Sequence, residues 1–119
     1  RDLHSFPTRR SSDLQKLGLK SVKPNVSCKS VDDACRNYIQ EKKYGKYFIH
    51  STGHGIGLEV HELPNISPRS KTKLQKNMAI TVEPGIYIPK KYGVRIEDSL
   101  IVQKKPIMLH KFTKDLITL

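Results

Sequence analysis

The sequence predicts an α+β fold, with one amphipathic helix set against several short antiparallel strands. Three observations point there. Apolar residues recur at helical spacing clearly in one stretch, around residues 31–39. Beyond Gly45 they fall into short runs separated by Gly, Pro and Asn. No internal repeat marks a solenoid or an array.

In chain order, Gln15 to Ser21 is short and mostly polar and reads as the tail of an interrupted helix, with a break at Pro24 and Asn25. Val31, Ala34, Cys35, Tyr38 and Ile39 then share one face of a helix of about four turns. Ser30 with Asp33 resembles a capping box, Lys42 and Lys43 suit the last turn, and Gly45 is the expected C-cap. Tyr47 to His50 is strand-like, and Leu58 to His61 alternates. Pro64 to Lys73 reads as a surface loop. Met78 to Glu83, Ile86 to Ile88 and Val94 to Val102 are strand candidates, with turns at Pro84-Gly85 and Lys90 to Gly93. Met108, Leu109, Phe112, Leu116 and Ile117 give the tail enough apolar positions to dock on a core.

The chain has 119 residues, a length for one small domain or a piece of a larger one. Mean hydropathy is −0.53, and no apolar run reaches the ~18 residues of a membrane-spanning helix. Cys28 and Cys35 are too few for a disulfide framework and fit a reducing, cytoplasmic setting. Arg1 to Leu14 carries three Arg and no Lys, against three Arg and 16 Lys in the rest. Its run HSFPTRRSSDL resembles the translation of a sequencing adapter. Residues 1–14 are therefore expected to be a non-native head, with 15–119 the natural part, cut from a longer chain. The formal charge of +11 raises nucleic acid as a partner. The Lys are scattered from Lys16 to Lys114, however, without an aromatic-interleaved motif or zinc-finger spacing, and read as a solvated surface.

The residues with chemistry in them are few. His50, His54 and His61 cluster, and Gly53 and Gly55 let backbone approach closely around His54. Glu83 precedes Pro84-Gly85, and Glu97 lies in VRIEDSL. On a strand, Arg95, Glu97 and Ser99 share a face, which leaves Asp98 among apolar neighbours, near a strand end or a paired group. His54, Glu83 and Glu97 form a nitrogen and oxygen donor set suited to Mn, Co, Fe or Zn. A packed His and solvent-facing carboxylates explain the same residues. HExxH is excluded, because Pro64 ends any helix after His61-Glu62.

HSTGHGIGLEVHE, His50 to Glu62, closely resembles the histidine segment of the pita-bread metallopeptidases, which include aminopeptidase P, prolidase and methionine aminopeptidase. VEPGIYIP, Val82 to Pro89, and GVRIEDSLIV, Gly93 to Val102, resemble that family's two glutamate segments, in matching order and spacing. Their pairing is closest to the Xaa-Pro aminopeptidase and prolidase branch. The resemblance implies the C-terminal part of a pita-bread fold, a curved antiparallel sheet with packed helices, the N-terminal half being missing. It implies two divalent metal ions, Mn foremost and Co, Zn or Fe as alternatives. Metal ligands would be His54, Glu83 and Glu97, with Glu83 also the proton acceptor. His50 and His61 would contact substrate and stabilise the tetrahedral intermediate, and Arg95 would stand beside the metal carboxylates.

The implied activity is hydrolysis of an N-terminal Xaa-Pro bond by a hydroxide bridging the metals. Prolidase-type or methionine-aminopeptidase-type hydrolysis, or a non-catalytic binding module on the same fold, are the alternatives. The implied partners are a peptide with proline second and a second copy of the enzyme, with no nucleic acid and no membrane. The family's two aspartate ligands have no counterpart. Asp2 and Asp13 lie in the head, and Asp32 and Asp33 lie at the start of the helix. With three of five ligands, the chain by itself is expected to bind metal weakly and hydrolyse little.

Overall fold

The computed structural model describes residues 10–111. Their order is α1 (Arg10–Ser21), α2 (Cys28–Glu41), a 3-10 turn (Gly45–Tyr47), β1 (Gly53–Gly55), β2 (Glu62–Ile66), β3 (Ala79–Val82), β4 (Gly85–Ile88), β5 (Tyr92–Arg95), β6 (Asp98–Ile101) and β7 (Ile107–Met108). Five strands form an antiparallel sheet in the order β2-β1-β3-β6-β7, and β4-β5 form a separate ribbon. The expected α+β class holds.

Helix α1 runs through Leu14 and Gln15 without a break, so no structural boundary falls where the head was expected to end; residues 1–9 lie outside the described part. Leu14, 1% exposed, joins Cys35, Ile39, Phe48 and Ile86 in one core cluster. The other cluster packs Val22, Cys28 and Val31 under the sheet residues Ile66, Ile80, Val82 and Leu100.

Helix α2 starts earlier than expected. Ser27, not Ser30, is the N-cap: its hydroxyl accepts from the Ser30 amide at 3.1 Å, while the Ser30 hydroxyl donates to the Ser27 carbonyl at 2.8 Å. Asp33 instead pairs with Lys29, 2.8 Å away on the exposed face. The C-terminus is closed by Lys43, not Gly45. Lys43 takes φ 67°, its amide donates to the Gln40 carbonyl (2.9 Å), and the Tyr44 amide donates to the Ile39 carbonyl (3.0 Å). Those two bonds satisfy the last carbonyls of the helix and fold Tyr44 back onto the core cluster of Ile39.

Several strand expectations need correction. Tyr47 to His50 forms no strand, because Arg36 of α2 takes the carbonyls of Phe48 and His50 that a ladder would use. Leu58 to His61 is an open loop, with Leu58 at 104% exposure. Pro64 to Ile66 belongs to β2, so the surface loop begins only at Ser67. Val94 to Val102 is split, since the chain leaves the ribbon after Arg95 and enters the five-stranded sheet at Asp98. In the tail, Met108 packs on the core and Leu109 is 50% exposed; Phe112, Leu116 and Ile117 lie outside the described residues.

Candidate metal centre

Strand register delivers the carboxylates. β3 and β6 pair Thr81 with Ser99 and Val82 with Asp98. One step further along this register sets Glu83 opposite Glu97. Because side chains alternate, Thr81, Ser99 and the two glutamates fall on one face, while Val82 and Leu100 are buried on the other. Arg95, Glu97 and Ser99 line one cavity despite the break between β5 and β6. Asp98 is fully buried at the first position of β6, with His110 Nε2 3.3 Å from its Oδ1, so it has both a strand end and a partner.

The histidines come from the other side. His54 sits in β1 opposite Asn65, beside a β-bulge, and its amide donates to Thr81 Oγ1 at 3.1 Å. The flanking glycines are required by backbone contact. A Cβ on Gly53 would lie 1.9 Å from the Thr81 carbonyl oxygen, and one on Gly55 would lie 2.2 Å from that of Leu63. His54 Nδ1 stands 2.9 Å from the Gly55 carbonyl. A carbonyl can only accept, so Nδ1 carries the proton and the lone pair is left on Nε2. That lone pair is directed into the site, where Nε2 is 3.3 Å from Glu83 Oε2. The His61 ring lies 4.4 Å from the His54 ring, centroid to centroid. The His50 ring is 5.2 Å from Phe48 and 5.5 Å from Tyr87, edge-on to both.

Two adjoining cavities result. One, of about 560 Å³, takes in His54, His61, Glu83, Arg95 and Glu97. The other, of about 680 Å³, takes in His50, His54, His61, Glu83 and Arg95, with Ile49, Asn65 and Tyr87. All six residues singled out in the sequence therefore open onto one cleft. Asn65 and Tyr87 were not singled out. Their signals were the pairing position opposite His54 and an aromatic two residues beyond Gly85.

Electrostatics marks the same place. The Glu97 carboxyl is held above the ordinary range, first by partial burial and then by the facing charge of Glu83 and a hydrogen bond with it; Arg95 and His54 pull the other way. Glu83 Oε2 is buried and lacks a hydrogen-bond partner. Crowded carboxylates, an unsatisfied oxygen and a free imidazole lone pair fit a divalent cation of the Mn, Co, Zn or Fe type. His54, Glu83 and Glu97 would be the residues that hold it. Among the described residues, no group of three His, Cys, Asp or Glu stands close enough to hold an ion by itself.

An antiparallel sheet with two packed helices, presenting one imidazole and two facing carboxylates to an open cleft, agrees with the pita-bread metallopeptidase fold. The sequence pattern of Metallopeptidase family M24 matches residues 9–104, and the chain belongs to that family. It is 52% identical over 92 residues to a Xaa-Pro dipeptidase of Pyrococcus horikoshii, an alignment covering 77% of this chain and 26% of that protein. A solved Xaa-Pro dipeptidase from Bacillus anthracis superposes with a TM-score of 0.88 at 46% identity, covering 97% of this chain and 34% of that one. An X-Pro aminopeptidase from Thermotoga maritima superposes with a TM-score of 0.84 at 40% identity, covering 93% and 33%. The chain thus spans about a quarter of the length of the curated relatives it matches. Among the described residues, no helix is long and apolar enough to cross a membrane.

Proposed function

We propose that this chain supplies the histidine and glutamate half of a metal-dependent peptidase acting at Xaa-Pro bonds, and that residues 15–119 are part of its catalytic domain. What carries the reading is the convergence of His50, His54, His61, Glu83, Arg95 and Glu97 on one cleft, in a chain of this family. Two upstream aspartates in the whole protein would complete the ligand set, and residues 1–14 would be foreign to it. Two divalent ions, Mn foremost, would acidify water and polarise the scissile carbonyl when bound.

The chain's own residues have separable tasks. His54 offers Nε2 as a ligand because Gly55 holds the proton on Nδ1. Glu97, with Glu83 and Arg95 beside it, would help hold the ions. Glu83 takes the proton from the attacking water and passes it to the leaving amine. His61, on the exposed loop, reaches the substrate from above. By the resemblance, His50 and His61 would contact the substrate and stabilise the tetrahedral intermediate. The whole enzyme acts as a cytoplasmic homodimer.

Release of an N-terminal residue ahead of proline is one form of this activity. The dipeptidase names of the first relatives favour a second, cleavage of Xaa-Pro dipeptides. Both are tested by assaying the whole protein with Mn²⁺ on an Xaa-Pro dipeptide and on a longer Xaa-Pro peptide. Glu97→Ala should cost at least about 100-fold in kcat, more than is usual for loss of a supporting group around a metal. Wild-type rates in that variant refute the ligand assignment. The 119-residue chain alone should turn over far more slowly than the whole protein.

A further inference from the structure

Helix α2 holds an ion pair that the proposed chemistry does not use. Asp32 is fully buried on the helix face that also buries Val31 and Cys35. Arg36, one turn on, binds it through two nitrogens: Nε to Oδ2 at 2.8 Å and Nη2 to Oδ1 at 3.0 Å. The guanidinium then reaches out of the helix. Nη1 donates to the Phe48 carbonyl at 3.2 Å and Nη2 to the His50 carbonyl at 3.1 Å, while its carbon stacks 4.1 Å over the Phe48 ring. Asp32 Oδ1 in turn accepts from the Thr52 hydroxyl at 2.8 Å and the Thr52 amide at 3.3 Å.

These bonds spread along the irregular segment that carries His50. The Thr52 carbonyl accepts the Glu83 amide at 2.6 Å. The Ser51 carbonyl lies 2.7 Å from His50 Nδ1, which must therefore hold the proton. His50 Nε2, which carries the lone pair in the neutral ring, is buried and has no hydrogen-bond partner, and the His50 side chain lines the second cavity.

We propose that Asp32 and Arg36 are positioning residues: they form a clamp that fixes residues 48–52 so that His50 presents Nε2 to the cleft as a hydrogen-bond acceptor. Its ligand would be an N–H donor of a bound peptide, an amide or a protonated amine. This modifies the role that resemblance suggests for His50, because a neutral imidazole with Nδ1 protonated cannot donate to an oxyanion. The argument from cost runs the same way. A buried ion pair stabilises no better than apolar side chains of like volume. What the ions add is direction: a planar fork can bond both carboxylate oxygens and two carbonyls at once through separate N–H groups, and an ammonium, with three donors, cannot. Phe48 and His50 are left with no strand ladder, so these bonds are what places them.

The clamp deepens the peptidase reading and rests on it for its importance, but its test needs neither metal nor turnover. Imidazole ¹⁵N NMR on the 119-residue chain reads the tautomer of each His directly. His50 should show one sharp unprotonated Nε2 signal. In Arg36→Lys, which keeps the charge but loses the fork, that signal should be lost to tautomer averaging and broadening, with the His54 signals unchanged. An unchanged His50 spectrum in folded Arg36→Lys overturns the proposal, as does a wild-type His50 protonated at Nε2. Should Arg36→Lys fail to fold, Asp32→Asn keeps the shape and removes the charge that holds the guanidinium, and the same two outcomes apply. Failure of the Glu97→Ala assay would leave this result untouched, and the reverse also holds.

Discussion

The carboxylate wall of the cleft is held by strand pairing, whereas the histidine wall is held by side chains and close backbone packing. On the first, four consecutive pairs between β3 and β6 fix the direction of every residue up to Glu83 and Glu97. On the second, β1 has three residues and a bulge. The segment before it is placed by Arg36 and Asp32, and the loop after it carries Leu58 and Val60 exposed. One wall is specified by periodicity, the other by particular contacts. The two should therefore break differently.

The largest effect is expected at Gly53. The Cβ of an alanine there would meet the carbonyl oxygen of Thr81 at 1.9 Å and its carbon at 2.8 Å. Both are backbone atoms and cannot swing aside, so β1 must part from β3, taking His54 with it. Gly53→Ala should cost more than the ~4–5 kcal/mol that marks an exceptional single substitution, and urea melts should find the chain largely unfolded. A folded variant with native-like stability would show that the histidine wall gives more than its geometry allows.

A smaller loss is expected from the carboxylate wall. Leu100 is fully buried in β6 among Ile66, Ile80, Val82 and Val102. Leu100→Ala should cost ~2–5 kcal/mol through lost burial and a residual cavity. The ladder hydrogen bonds survive, so the chain should stay folded in the cold and keep Glu83 near Glu97. Amide exchange in β3 and β6 checks this: protection should fall by the measured stability loss and no further.

The same contrast explains what could be read from the sequence. Met78 to Glu83 was legible as a strand, whereas the run around Glu97 was legible only in part, because Ile96 and Glu97 lie between β5 and β6 although Arg95, Glu97 and Ser99 still line one cavity. The order of Glu83, Glu97 and the three histidines also pointed to one cleft. The histidine segment was misread at Tyr47 to His50 because its conformation depends on Arg36, which lies on another element. A signal was present: Asp32 interrupts the apolar face of Val31 and Cys35 with a charge, and Arg36 stands four residues on, where a helix brings an acid and a base together. The caps of α2 were misplaced for a similar reason. Ser27 and Ser30 are both acceptable caps by composition, and the bridge between Ser27 and Lys73 is a tertiary contact that helps fix where the helix begins. Lys43 adopts the left-handed conformation because Tyr44 packs against Ile39, although a glycine lay two residues away.

The mildest perturbation probes the ground under the histidine wall. Cys35 lies beneath it on α2, buried, and its thiol is pushed up to about 12 from 9.0, chiefly by burial and next by the charge of Asp32. Below pH 9 the thiol keeps its proton whether the chain is folded or not, and contributes no pH dependence. Between 9 and about 12 the unfolded chain loses that proton while the folded chain retains it. The unfolded state then binds fewer protons, so stability must fall as pH rises through this window. The stability advantage of wild type over Cys35→Ala, measured by urea melts, should therefore narrow between pH 8 and pH 10. Lysines and tyrosines titrate alike in both proteins and cancel in the difference. An advantage constant with pH would mean that water reaches the thiol, and that the floor of the histidine wall is as open as its rim.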